Sequence, residues 1–303
     1  MGNVFYNGGI PFSQIPASSL QQLIKIALIT MFFLFRPLFS VDKSCQKSIA
    51  KIQSNYNYSF GHFNVNRITT DFSNNGVFVS QVYSSGAGMR FDNISINYTS
   101  GLWIADSSNG KIRLSVTEYS SEYAPGPFGV EYDSLKHNII SLNQTTGSIL
   151  PILGDQMHWY VYNDGIHENH TVYSAEPLDI EIHATLWGYK DNYKNINLQN
   201  IMFVKSLVIN KGDSNIENGY IGLWSDPDLG WAGDDFVGCD STLNLGYCYN
   251  DGPDDYFGEN PPAHGITLLQ GPIVESNNNT AKAFGNYING YQNLPMTSFV
   301  KYT

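Results

Sequence analysis

The chain has 303 residues, 42% of them hydrophobic, enough to bury a core in one large or two ordinary domains, which excludes intrinsic disorder. Charged residues make up only 14% and the formal net charge is -11, a field that repels phosphate backbones and anionic lipid surfaces, so nucleic acid is excluded as a partner. Abundant Tyr, Phe, Asn, Ser and Gly suit pleated strands joined by tight turns, and an all-β class follows.

The first predicted element is a hydrophobic, helical leader. Residues Leu23 to Phe39 read LIKIALITMFFLFRPLF, in which Lys25 precedes an apolar run from Ile26 to Phe35 that Arg36 and Pro37 interrupt, with the small Ser40 beyond. A membrane span needs roughly 20 apolar residues. The pattern fits the core and cleavage site of a signal peptide better, so residues 1–40 are expected to be a leader removed on export, a membrane anchor or buried core helix being the alternative. No lipoprotein-type box precedes Cys45.

From Phe60 onward the residues alternate as strands do. Val77 to Val82, Gly101 to Ala105, Ile112 to Tyr119, His158 to Tyr162, Leu178 to Tyr189, Ile201 to Asn210 and Tyr220 to Trp224 are rich in β-branched and aromatic residues and are bounded by Gly, Asn or Ser. Lys211-Gly212-Asp213 and Glu217-Asn218-Gly219 supply turns between the last two. No helical period is sustained beyond the leader and no repeat of 20 to 50 residues occurs, which leaves packed antiparallel sheets, a β-sandwich, as the expected architecture. The stretch from Ser141 to Asp155 is the candidate boundary between an N-terminal β part (41–150) and a C-terminal β-sandwich part (151–303). One continuous domain over 60–303 is the alternative. The chain ends on a strand-like run, Phe299 to Thr303, which suggests a truncated reading frame or a further module downstream.

Between Gly212 and Ala281 there is no Lys or Arg, while Asp and Glu recur. The densest part places Asp226 and Asp228 at a strand end, then Asp234 and Asp235, then Asp240. Like charges crowded together destabilise a fold unless a cation or backbone donors compensate. Calcium takes six to eight oxygens in flexible geometry, so these five aspartates are the candidate ligands of a calcium ion; turn-capping aspartates facing water are the alternative. The spacing is not that of an EF-hand. Cys239 and Cys248, nine positions apart, either pair across a hairpin or remain two buried thiols, with Cys45 left over.

The segment YIGLWSDPDLGWAGDDFVGCDSTLNLGYCYN with GENPPAHGITLLQGPI after it, together with SGLWIADSSNGKIRLSVTEYSSEYAPGP, GDQMHWYVYND and LDIEIHATLWGY, resembles a family of large secreted bacterial proteins. These come from Bacteroidetes-like and Ignavibacteria-like lineages and often end in a type IX secretion sorting domain. The resemblance covers roughly residues 60 to 273 and implies a secreted or cell-surface location; it carries over no catalytic residue. The sequence departs from the family in lacking a sorting domain.

Patterns for acyl, metal-dependent or phosphoryl chemistry are missing: there is no G-x-S-x-G, no H-E-x-x-H and no Gly-rich phosphate loop. His167 and His170, with His158 and His183 as possible neighbours, are the nearest hint of a metal site and read as loop histidines. Asp234 with Asp235, or better Asp226 with Asp240, are the candidate acid pair for glycoside hydrolysis. Of Trp103, Trp159, Trp187, Trp224 and Trp231, the first four lie in apolar strand patterns and are expected in the core; Trp231, after Gly230 in the acidic loop, is the candidate for an exposed ring that stacks on sugar. The expected function is a non-catalytic structural or adhesion module at the cell surface, with a glycan-binding module and a hydrolase or its accessory domain as alternatives. Glycans or other surface proteins are the expected partners, and no membrane contact is expected after signal cleavage.

Overall fold

Strands form where side chains alternate between burial and solvent, and the ladders join segments far apart in the chain. The computed structural model describes residues 58–81, 88–108, 110–130, 137–143 and 152–301, preceded only by the backbone of two short strands, β1 (Asn3–Tyr6) and β2 (Leu23–Ile26). The rest of the expected leader lies outside the described residues, as does Cys45. Apart from His137, helical structure among the described residues is limited to single 3-10 turns at His167–Asn169 and Leu198–Asn200, and no helix there is long and apolar enough to cross a membrane.

Among the described residues the ladders are antiparallel and fall into five sheets. One contains, in order, β21 (Ser298–Lys301), β1, β15 (Tyr220–Asp226), β8 (Thr99–Ser108) and β5 (Val77–Ser80), with β9 (Lys111–Ser115) as a hairpin partner of β8. A second runs β10 (Ala124–Pro125), β12 (Gln156–Asn163), β13 (Ile180–Gly188), β14 (Phe203–Asn210), β2, with β11 (Ile140–Asn143) beside β12. A four-stranded sheet joins β3 (Phe60–Phe63), β4 (Ile68–Ser73), β6 (Met89–Phe91) and β7 (Ile94–Asn97). The acidic region supplies a three-stranded sheet, β16 (Asp235–Asp240), β17 (Leu245–Asn250) and β18 (His264–Thr267), and the last sheet is the ribbon β19 (Ile273–Ala283) with β20 (Asn286–Asn293). Strands from both sides of residues 141–155 share a sheet, since β15 pairs residue by residue with β8.

One apolar cluster gathers the inward residues of all five sheets: Phe72 from β4, Leu102 and Leu223 from β8 and β15, Tyr160 and Ile182 from β12 and β13, Cys248 from β17 and Val274 from β19. The antiparallel all-β class is therefore established, and the core is shared among more sheets than the two of a simple sandwich. Burying a side chain of this size stabilises the fold by about 1.5–3 kcal/mol. A second cluster covers the opposite face of β8 and β15 with Trp103, Ala105, Leu114, Val116 and Trp224. Burial on both faces explains why these two strands read as nearly continuous apolar runs. Trp103 and Trp224 thus sit where the pattern predicts, whereas Trp159 and Trp187 are only half-buried; Trp159 meets His183 edge-on and Trp187 stacks on Phe203 at 5.1 Å.

Polar residues tie the sheets together from inside. Asp164, just past β12, is fully buried and its carboxylate accepts hydrogen bonds from the amides of Leu178 (2.7 Å) and Ile180 (2.6 Å) and from the Ser115 hydroxyl (2.7 Å), linking β9 to β13. Arg113 on β9 donates from Nε to Asp106 on β8 at 2.9 Å, and the Asp106 side chain is wholly buried. At the β4–β5 turn Gly76 has φ +92°, and a Cβ there would lie 2.8 Å from the Tyr162 ring, so both conformation and space require glycine.

Candidate functional site

The acidic loop begins where β15 leaves its sheet. Asp226 is buried there and accepts a hydrogen bond from the Tyr119 hydroxyl at 3.0 Å; burial raises its pKa. Asp228 is half-buried, and burial together with the nearby Asp226 and Asp235 carboxylates pushes it up to about 6. Asp235, raised by burial, accepts from the Leu229 amide (3.0 Å) and from the Cys248 thiol, while the Asn250 side-chain amide bridges Asp234 (2.8 Å) and Asp235 (3.3 Å). Asp226, Asp228 and Asp235 therefore do gather.

Asp240 does not join them. Five residue steps along β16 separate it from Asp235, about 17 Å at roughly 3.3 Å per residue, too far for one ion. Its carboxylate instead caps the β16–β17 turn, accepting from the Thr242 amide (2.9 Å), the Thr242 hydroxyl (2.7 Å) and the Leu243 amide (3.2 Å), and the Thr242 hydroxyl in particular lowers its pKa. The carboxylate that organises the loop is one the spacing did not single out, Asp254. It is buried and accepts from the amides of Trp231 (2.8 Å), Tyr256 (2.8 Å) and Phe257 (2.6 Å). Burial alone raises an acid, but these amide donors outweigh it and hold Asp254 below its usual range. The loop's charge is thus met largely by backbone N–H groups. Among the described residues no three His, Cys, Asp or Glu side chains form a group able to hold a metal.

Cys239 and Cys248 do lie on neighbouring hairpin strands, but both are free thiols, Cys239 exposed and Cys248 buried. Cys239 stands opposite Gly246 and Cys248 opposite Val237, which makes the cysteines diagonal neighbours, about 7–8 Å apart and beyond disulfide reach. The histidines also separate. His167 is exposed beside Glu176 (3.2 Å), His183 meets Glu181 (2.8 Å) and His158 meets the Ser141 hydroxyl (2.8 Å). His170 is buried, with its ring nitrogens against the carbonyl oxygens of Leu114 (3.2 Å) and Asp164 (2.8 Å), which ties its loop to β9 and to the end of β12.

What the region presents to solvent is aromatic. Trp231 is 51% exposed, its indole resting over Gly233, and Tyr256 is 65% exposed; the shared bonds to Asp254 keep the two backbones side by side. On the sheet, Phe236 stands directly opposite Tyr249, with ring centroids 5.8 Å apart, and Tyr247 lies 5.8 Å from Tyr249. Gly238 opposite Tyr247 leaves room for the ring to lie down, because a Cβ there would come within 2.4 Å of Tyr247 Cζ. Three adjoining rings therefore share the outer face, while Val237, Cys248 and Ile266 on the inner face join the core. The alternation Tyr247-Cys248-Tyr249 signals this face in the sequence; the partnership with Phe236 depends on hairpin register and has no local signal. Searches of protein-family models, curated proteins and solved structures found no match to the chain.

Proposed function

We propose that this chain is a non-catalytic binding module of an exported or cell-surface protein, and that its ligand is a neutral glycan. The observation that carries the reading is the ring row Phe236, Tyr249 and Tyr247 on the outer face of β16 and β17, with Trp231 exposed on the loop leading into it. Exposed contiguous apolar patches mark interaction surfaces. Flat rings take the C–H faces of sugar rings, and the neighbouring Asp234 carboxylate suits sugar hydroxyls. A net charge of -11 disfavours anionic polysaccharides. Export is supported by the apolar run from Ile26 to Phe35 and by the resemblance to type IX-secreted surface proteins. The shared core between the two six-stranded sheets supports a β-sandwich as the architectural centre of a single domain, with the smaller sheets appended.

Adhesion to another surface protein is the second reading, favoured by Leu243 (58% exposed) and Leu269 (67% exposed) at the ends of the same small sheet. A glycan array probed with the chain, followed by affinity electrophoresis on the hits, separates the two. Binding to neutral glycans that weakens at least tenfold in Trp231→Ala or Tyr249→Ala, with unchanged melting temperature, is expected. Absence of any glycan hit, or hits indifferent to both substitutions, refutes the glycan reading.

A further inference from the structure

Against β18, the edge strand of the three-stranded sheet, lies a cavity of about 530 Å³. Its walls come from Ile68 and Ile96 of the four-stranded sheet, Phe78 and Leu223 of the first sheet, Met202 before β14, and Ile266 of β18. Among the described residues that line it none is charged. A cavity of this size matches those that house drug-sized ligands, and it is many times the roughly 30 Å³ of one water. Part of the wall is the segment around β18, where Ala263 and Gly265 are exposed and Leu269 is 67% exposed, so the space reaches the surface.

Polar groups cluster in the lining. Asn97, at the end of β7, is 1% exposed. Its Nδ2 lies 2.9 Å from the Ser100 hydroxyl, 2.9 Å from the Ser225 hydroxyl and 3.2 Å from His264 Nε2. Its Oδ1 has no hydrogen-bond partner among the described residues. Turning the carboxamide over exchanges an unpaired acceptor for an unpaired donor, so either orientation leaves one buried atom unsatisfied, at about 1–3 kcal/mol. Burial lowers His264 to about 4, so at neutral pH this end of the cavity holds no positive charge.

We infer that the cavity is a second binding site, for an uncharged and mostly apolar molecule bearing one hydroxyl, whose polar end meets the Asn97, Ser100 and His264 part of the lining. A fatty-acid carboxylate finds no cation there, an alkylammonium finds no anion, and a plain hydrocarbon leaves the polar part of the lining unmet. The site is independent of the glycan reading, because none of the ring-row residues lines the cavity.

Titration calorimetry of the chain with 1-decanol, decanoate and decylamine at pH 7.5 tests the inference. Decanol is expected to bind at least tenfold more tightly than either ion, and Met202→Trp, which fills the cavity, to abolish that binding. No decanol binding up to its solubility limit, or equal binding of decanoate, overturns it. So does decanol binding that survives in folded Met202→Trp; should that variant not fold, the head-group series on the wild-type chain decides alone.

Discussion

His158 should make the protein lose stability in mild acid. The residue lies on β12, 3% exposed, with Nδ1 at 2.8 Å from the Ser141 hydroxyl and its ring edge-on to Phe72 at 4.9 Å. Burial, with a smaller contribution from nearby His62, lowers its pKa from 6.5 to about 4. The folded value lies below the unfolded one, so the stabilising contribution is fully present above pH 6.5 and is lost as pH falls toward 4. Within that window the unfolded chain binds one proton more than the folded chain, a slope of about 1.4 kcal/mol per pH unit and about 3 kcal/mol in all. The assay is urea unfolding of wild type and His158→Gln from pH 7.5 to 4. Other titrating groups cancel in the difference between the two proteins: His264 has the same sign as His158. Glu118, raised by burial to about 7, and Asp228, raised to about 6, have the opposite one, stabilising at low pH and losing that contribution as pH rises. The wild-type advantage should shrink by about 3 kcal/mol across the range. Parallel stability curves for the two proteins would refute the reasoning.

Asp254→Ala should strand the amides of Trp231, Tyr256 and Phe257 and cost about 2–4 kcal/mol; hydrogen exchange at those three amides should quicken while β12 and β13 stay protected, and unchanged exchange would count against the clasp. Arg113→Met leaves the buried Asp106 carboxylate without its cation and should destabilise by about 3–5 kcal/mol in chemical unfolding, whereas the double variant with Asp106→Leu should recover most of the loss; a single variant within about 1 kcal/mol of wild type would show that the pair is dispensable.

The central strands are legible in the sequence because two periodicities coincide there. The predicted run Leu178 to Tyr189 appears as Ile180–Gly188 and Ile201 to Asn210 as Phe203–Asn210, since aliphatic residues such as Ile180, Ile182, Leu186, Val204 and Val208 fall on alternate, buried positions. Ile112 to Tyr119 stops early, at Ser115, because the Val116 amide is taken by the Glu122 carboxylate at 3.1 Å, an acceptor six residues ahead that no local pattern announces. The ribbon strand Ile273–Ala283 escapes notice for the opposite reason: its middle, Ser276 to Thr280, is polar and mostly exposed, so nothing alternates. Crowded aspartates correctly signal that compensation is needed, but the compensating partners are largely backbone amides, such as those of Leu229 and Trp231, which carry no residue identity. Trp231 is readable as exposed from its place beside Gly230, whereas the cavity draws its wall from residues between 68 and 269 and is invisible to any local reading.

The placement of β15 against β8 has a consequence for how the protein is made. A ribosome releases Thr99–Ser108 more than a hundred residues before the strand that will pair with one of its long edges, and until Tyr220–Asp226 emerges that edge stays open. Closure of such distant partners is slow, and the waiting chain displays sticky, unpaired strand edges. The nascent polypeptide should therefore depend on chaperones for most of its synthesis, and a fragment ending before residue 220 should collect in inclusion bodies.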